Sequence, residues 1–472
     1  MARFVYNLSP DTFTPDNLTG NKPFGYLLAP NNATPQLSRL ASQVRDHGLP
    51  LFADNGNFTL IGQVAAALRA ESRLLRRRVV AFERTLGHSV RPGELPEDLV
   101  RDYFDLSTHA RDLARQLAGD GTTNLGGQLA LDPTHLIGVE DITAACWLSL
   151  DLERAYTGRR RRDWARLNTS VARAAVQHRS RLPGHLQETY YPVASAESYN
   201  TARDAGRIFA EHQIPRVAMG FGAYMADANY TDHAYIERSR VDFGGRLPNR
   251  YTRTVLVTRG FYDGYQAAAG YPPAGFHFLG LGAPIMLPLV ILAARPGNSL
   301  TFDATSPIKD ALRDGVLYVT TPAYLKIRIR KSAAWLAADP TRRWDCPCPF
   351  CQTFTRDFPF DYPTGNAWHQ ANPGRDPVAA DLRPGGGLYL AYPLFSEPSP
   401  GHRRDAIDHA RIGHNHWALE QVLAHARQAT TEGRLEQHTR QVVNDYAPTT
   451  SAPFAQAIQL GLRFSVGPDG PI

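Results

Sequence analysis

The chain has 472 residues, 43% hydrophobic and 10% aromatic, with 38 glycines and 35 prolines: a globular, loop-rich composition large enough for one domain with insertions or for two or three smaller ones. Its 51 Lys+Arg against 45 Asp+Glu leave a net charge of +6, carried almost wholly by arginine, which suits phosphate and guanine contacts but does not alone imply nucleic acid. A membrane span is excluded because the most apolar segment, residues 280–294, is short and carries Pro284 and Pro288, and residues 1–7 lack the apolar core of a signal peptide, so a cytoplasmic protein is expected.

Residues 24–29 form an apolar run closed by Pro30-Asn31-Asn32, which predicts a buried strand. Residues 36–47 carry Leu37, Leu40 and Val44 at helical spacing and stop at Gly48, ahead of a second apolar run at 49–53. This β-α-β pattern delivers Asp54-Asn55-Gly56-Asn57-Phe58 to the carboxyl end of a strand, where parallel α/β folds place their chemistry. Residues 61–117 read as helical, with Arg76-Arg77-Arg78 as a solvated face. After a glycine-rich break at 119–127, residues 128–139 predict a strand region ending at Glu140 and Asp141. Residues 146–180 predict helix and hold Arg159, Arg160, Arg161 and Arg162, four like charges that repel unless an anion neutralises them, and hence candidate phosphate contacts. Strands at 216–224, 252–258, 276–281, 299–302 and 316–320 bring the expected total to eight, the number that closes a (β/α)8 TIM barrel. The expected architecture is therefore α/β. A catalytic barrel covers residues 1–335 with helical insertions at about 61–125 and 146–205; a zinc-binding subdomain and C-terminal helices over 336–472 pack on it.

Three of the four cysteines, Cys346, Cys348 and Cys351, fall within six positions. They are too close for unstrained disulfides among themselves, and their spacing suits a closed tetrahedral Cys3His zinc site in a reducing compartment. His414 is the expected fourth ligand, ahead of a helical run at 417–427; His416, His409, His402 and His369 are rivals. One structural zinc ion per chain is expected, with the Pro- and Gly-rich stretch 363–401 wrapping the surface around it. Asp54, the Glu140/Asp141 pair and Asp303 all fall at predicted strand ends. A single such carboxylate often caps a helix; several converging on one face of a barrel suit a nucleophile with an acid/base partner.

In chain order, Asp-x-Gly-x-Phe at 54–58, an acidic strand end, Leu279-Gly280-Leu281-Gly282, Phe302-Asp303, Cys-x-Cys-x-x-Cys and His414-Asn415 resemble the tRNA-guanine transglycosylase superfamily. The resemblance spans about residues 24–417 apart from the helical insertions. It implies that Asp303 attacks C1′ of the target nucleoside to form a covalent glycosyl-enzyme intermediate, and that Asp54 is the general acid/base. It further implies that Phe58 and Leu279 flank the base, that Glu140 or Asp141 reads the guanine N1/N2 edge, and that Gly220, within Met219-Gly220-Phe221-Gly222, and Gly280 lie at the base.

The family's Asp-Ser-Gly-Gly-Phe-Gln is Asp54-Asn55-Gly56-Asn57-Phe58-Thr59 here, and its basic tRNA-reading run is replaced by Ala304-Thr305-Ser306-Pro307. His414 also lies further beyond Cys351 than is usual. With these departures the chain looks most like the DNA-acting DpdA-type transglycosylases, which exchange guanine in DNA for a 7-deazaguanine such as preQ0. A tRNA-guanine enzyme is the alternative, and a non-catalytic zinc-stabilised nucleic-acid-binding barrel is the alternative of another class. The implied partners are DNA, or tRNA in the alternative, a 7-deazaguanine base and further proteins of a DNA-modification system, with no membrane.

Overall fold

The computed structural model describes residues 1–91, 93–118, 125–152, 158–295, 297–320, 323–397 and 402–467, apart from the side chains of 158–160 and 402–403. In chain order the strands are β1 (Ala2–Asn7), β2 (Gly25–Leu28), β3 (Leu51–Ala53), β4 (His135–Ile137), β5 (Tyr190–Tyr191), β6 (Val193–Ala194) and β7 (Arg216–Gly220). A hairpin of β8 (Tyr230–Ile236) and β9 (Ser239–Pro248) follows, then β10 (Gly275–Leu279), β11 (Ser299–Asp303) and a second hairpin of β12 (Val316–Val319) and β13 (Leu325–Arg328). Outside the two hairpins, the strands form one nine-stranded parallel sheet in the order β5-β4-β3-β2-β1-β11-β10-β7-β6. Its end strands β5 and β6 are separated only by Pro192. Proline has no N–H to give the ladder and so interrupts it, but its carbonyl still accepts from Ala218 N at 2.9 Å. The sheet is therefore barrel-like and nearly closed, with helices around its outside.

Strand alternation sorts side chains between two cores. Phe4, Tyr6, Tyr26, Leu28, Phe276, Phe278, Leu300 and Phe302 face outward into the layer shared with the helices. Val5, Leu27, Phe52, Ile137, Tyr191, Val193 and Ala218 form a separate cluster inside the sheet. Each such large apolar side chain, fully buried, contributes about 1.5–3 kcal/mol. The same parity places His277 and Thr301 inside, and the next inward positions at the carboxyl ends are Asn7, Gly220, Leu279 and Asp303.

Two expected strands are corrected. Residues 252–258 lie in the helix Asn249–Ala269. Their β-branched run reads as strand by propensity, but the helix is buried on nearly all sides and packs backbone to backbone on the helix Tyr199–Glu211. A Cβ at Gly260 would stand 2.3 Å from Tyr199 O, so glycine permits that approach. Residues 316–319 do form a strand, but antiparallel to β13 and outside the main sheet. The places in the sheet belong instead to β1 and to the Pro192-split pair β5 and β6, so the stretch 146–205 contributes strand as well as helix. Within 128–139 only His135–Ile137 is strand, after the helix Leu125–Ala130.

The C-terminal region has its own core, in which Phe350, Phe354, Leu388, Tyr392, Leu394 and Phe395 pack with Leu317, Ala333 and Leu336 from before residue 337. The stretch 363–401 thus supplies buried residues rather than only a surface wrap. No helix among the described residues is long and apolar enough to cross a membrane.

Candidate active site

A cavity of about 490 Å³ opens at the carboxyl ends of the strands, and Asp54, Phe58, Glu140, Gly220, Leu279, Gly280 and Asp303 all line it. Gly56 shapes one wall. Its φ of 75° is left-handed, and a Cβ there would lie 2.7 Å from Asn31 Oδ1, whose amide in turn donates to Gly56 O at 3.1 Å. This turn starts the helix Asn57–Leu86 and leaves Phe58 76% exposed at the mouth, with Lys309 Nζ 6.0 Å from its ring centroid.

Asp54 has its pKa raised to about 6, first by burial and then by the charge of Asp303; the backbone N–H groups of Asn55 and Gly56, and His277, oppose the shift. Glu140 is pushed up to about 7, chiefly by burial, against the pull of two amides. Asn55 Nδ2 and Asn57 Nδ2 donate to Glu140 Oε2 at 3.1 and 3.2 Å. Asp141 does not line the cavity; its carboxylate caps the helix Ile142–Ser149 by accepting from Thr143 N at 2.9 Å. Of the two acids at this strand end, Glu140 therefore faces the cavity.

Asp303 is gripped from below. Gly280 N donates to its Oδ1 at 3.3 Å, and His277 Nε2 stands 3.2 Å from the same oxygen, within ion-pair reach though off the line of a hydrogen bond. His277 is fully buried, lies parallel to Phe52 at 5.5 Å, and has Nδ1 2.8 Å from Thr301 Oγ1. Sequence reasoning missed His277, Thr301 and Asn7. The signal was available: His277 and Thr301 are lone polar residues two positions before Leu279 and Asp303, on the same strand face. Asn7 Nδ2, also at the cavity, has no hydrogen-bond partner among the described residues.

Neither Arg161 nor Arg162 lines this cavity. Arg161 is engaged by Asp204, with Nε 2.6 Å and Nη2 2.9 Å from its two oxygens, and Arg162 is exposed. The side chains of Arg159 and Arg160 lie outside the described residues. Of the four arginines expected to contact phosphate, Arg161 is thus paired with a carboxylate on the surface.

Cys346, Cys348, Cys351 and His414 bring their ligand atoms within 4.8 Å of one another, and each sulfur lies 3.4 Å from His414 Nδ1. Tetrahedral Zn–S and Zn–N bonds of about 2.3 and 2.0–2.1 Å require nearly that S···N separation, so the donors fit one zinc ion. His414 Nε2 lies 2.8 Å from Tyr318 O, a contact that leaves Nδ1 free to bind metal. The other histidines are used elsewhere or stand apart: His416 stacks on Tyr6 at 4.2 Å, His409 meets Asp16, and His369 is outside the cluster; the His402 side chain is outside the described residues. His414 sits in the middle of the helix His402–Thr431, not at the head of a shorter one. Next to it, Asn415 accepts from Tyr318 N at 2.9 Å and donates to Pro307 O at 3.1 Å, which ties this helix to the turn after Asp303. No protein-family model matches the chain, and no curated protein sequence matches it.

Proposed function

We propose that the chain is a guanine transglycosylase on a (β/α)8 barrel, in which β5 and β6 count as one strand, acting in the cytoplasm on DNA and exchanging a guanine for a 7-deazaguanine base. The observation that carries this reading is the pair Asp54 and Asp303 on one cavity, the first pushed to about 6 by burial and by the second. Two coupled carboxylates whose environments differ suit a nucleophile and a proton donor.

Asp303 Oδ2, the oxygen left free by Gly280 and His277, attacks C1′ of the target nucleotide. The C1′–N9 bond breaks, its electron pair leaves with the guanine, and protonated Asp54 supplies the proton that neutralises the base. The new base enters, Asp54 takes its N9 proton, N9 attacks C1′, and the Asp303 carboxylate departs. Because the ester conserves the glycosidic bond energy, no nucleotide triphosphate is consumed. Glu140 Oε1, the oxygen not held by Asn55 and Asn57, meets the N1/N2 edge of the base, while Phe58 and Leu279 cover its faces. A duplex target is flipped out to reach them, at a cost of a few kcal/mol.

Cys346, Cys348, Cys351 and His414 would hold a structural zinc ion, closed to substrate by three thiolates and a histidine. Held there, zinc would tie residues 346–351 to the helix whose Asn415 braces the Pro307 turn. The test is to incubate the purified chain with labelled guanine and either plasmid DNA or bulk tRNA. Label entering DNA is the expected result; label entering tRNA alone assigns the tRNA branch, and label entering neither removes the enzyme reading.

A further inference from the structure

The helix Asn57–Leu86 begins at the cavity with Asn57 and Phe58 and runs for 30 residues, about 45 Å at 1.5 Å per residue. At about 100° per residue, Phe58, Arg69, Arg73, Arg76, Arg77 and Arg84 fall inside an arc of about 100°. The face that carries Phe58 at the cavity mouth therefore continues as a row of arginines. Gly62 and Ala66, between the two, keep that face low.

Arg69, Arg73, Arg77 and Arg84 are exposed and have no acidic partner among the described residues, while Arg76 reaches Asp151 at 3.3 Å. Neighbours three and four apart on a helix meet, so the row sets like charges against each other. Of the helix's two acids, Glu83 is buried against Arg246 at 2.7 Å, and Glu71 falls on the far side of the helix. Arg78, which follows Arg77 in the chain but falls about 100° outside the arc, is turned away to Asp98 and Asp102. The surface is concave: Arg73, Arg76, Arg77, Val80, Ala81 and Arg84 line a basin of about 370 Å³. Around it Arg73, Arg77 and Arg84 have no carboxylate partner among the described residues, and guanidinium groups so placed suit successive phosphates.

We infer that this row is a track for the nucleic-acid backbone that flanks the target nucleotide, holding its phosphates while the base enters beside Phe58. The inference rests on the transglycosylase reading for the identity of the polyanion. The row lies in the part of this helix beyond residue 61, which the family resemblance does not cover, and it is separate from the arginines at 159–162.

The test uses the full chain carrying Arg73→Gln, Arg77→Gln and Arg84→Gln. Its control is Arg207→Gln, Arg356→Gln and Arg440→Gln, which removes the same charge from arginines already paired with Glu211, Asp357 and Glu436. Equal melting temperatures show that both are folded. Binding of labelled duplex DNA and of bulk tRNA is followed by anisotropy between about 50 and 200 mM salt. The row variant is expected to bind its polymer about tenfold or more weakly at low salt, with a log K against log salt slope shallower by about two to three, while the control follows wild type. An unchanged slope, an equal loss in the control, or a wild type that binds neither polymer overturns the track. Guanine uptake by the same polymers decides the enzyme reading separately. Slope loss without uptake keeps the track and removes the reading; uptake with an unchanged slope does the reverse.

Discussion

At the cavity, burial raises the carboxyl groups of Asp54 and Glu140 to about 6 and about 7, and Asp303 lies beside a buried histidine. At the cysteine cluster, three sulfurs and a ring nitrogen converge within 4.8 Å, and the ring's other nitrogen meets a backbone carbonyl. Both are clusters of buried polar groups, yet the first leaves oxygens and an amide unanswered and the second directs every donor inward to a single point. A reactive site keeps groups out of balance, whereas a staple closes on itself. Asn415 joins the two, because the helix that carries His414 also braces the turn after Asp303.

The sharpest way to break this contrast is at the staple. A closed zinc site contributes on the order of 10 kcal/mol to local folding, so Cys348→Ser is expected to lower soluble yield and melting temperature and to abolish zinc retained through dialysis. A folded, metal-free and fully active variant would show that the two regions are independent. At the cavity, Asp303→Asn is expected to leave no denaturation-resistant nucleic-acid adduct and to cut exchange by up to about 10⁶-fold. Asp54→Asn loses roughly 10²–10⁴-fold in exchange, as for a missing proton donor. An adduct trapped with the Asp303→Asn protein would reassign the nucleophile.

His277 sharpens the contrast further. His277→Phe keeps a ring on Phe52 and removes both nitrogens; a hydrogen bond to a charged group is worth about 1.5–3 kcal/mol, so adduct formation should slow by about 10–100-fold. A merely structural histidine would move the melting temperature and leave the pH profile of adduct formation unchanged, whereas a positioning role shifts the profile, with His277→Gln restoring part of the rate. The smallest effect is on stability. Folded Asp54 binds its proton more tightly than the unfolded chain does, so the stability this gives is present below pH 3.8 and lost as pH rises through about 6. Asp54→Asn should therefore be more stable than wild type at pH 8 by about 2–3 kcal/mol, and the gain should vanish near pH 4. Urea unfolding at the two pH values measures it; equal gains at both would mean that Asp54 is not desolvated.

The cysteine spacing, Asp54-Asn55-Gly56-Asn57-Phe58 and Asp303 were legible because each is local: the geometry that matters lies within a few residues or at the end of one apolar run. Residues 252–258 misled because propensity weighs β-branched side chains without knowing that another helix will pack closely on the one that holds them, at Gly260 and Gly264. β1 and the pair around Pro192 were missed because a two- or six-residue strand in a nearly closed sheet is defined by its neighbours: β1 hydrogen-bonds to β11, nearly 300 residues away. Glu140 could not be told from Asp141 by spacing alone. What separates them is that Asn55 and Asn57 hold one while the next residue starts a helix.

The sequence by itself determined which chemistry was present: thiolates at metal spacing, carboxylates after apolar runs, and an arginine-rich positive charge. These depend on side-chain type and on short stretches of backbone. Only the tertiary structure decided which groups share a space. It placed His277 under Asp303, turned Glu140 inward and Asp141 away, filled the Arg161 fork with Asp204, and left the Arg69 to Arg84 face of one long helix uncovered beside Phe58. Curling the sheet almost to closure sets strands far apart in the chain side by side with alternate residues inward, and burial then shifts the charge its carboxylates carry.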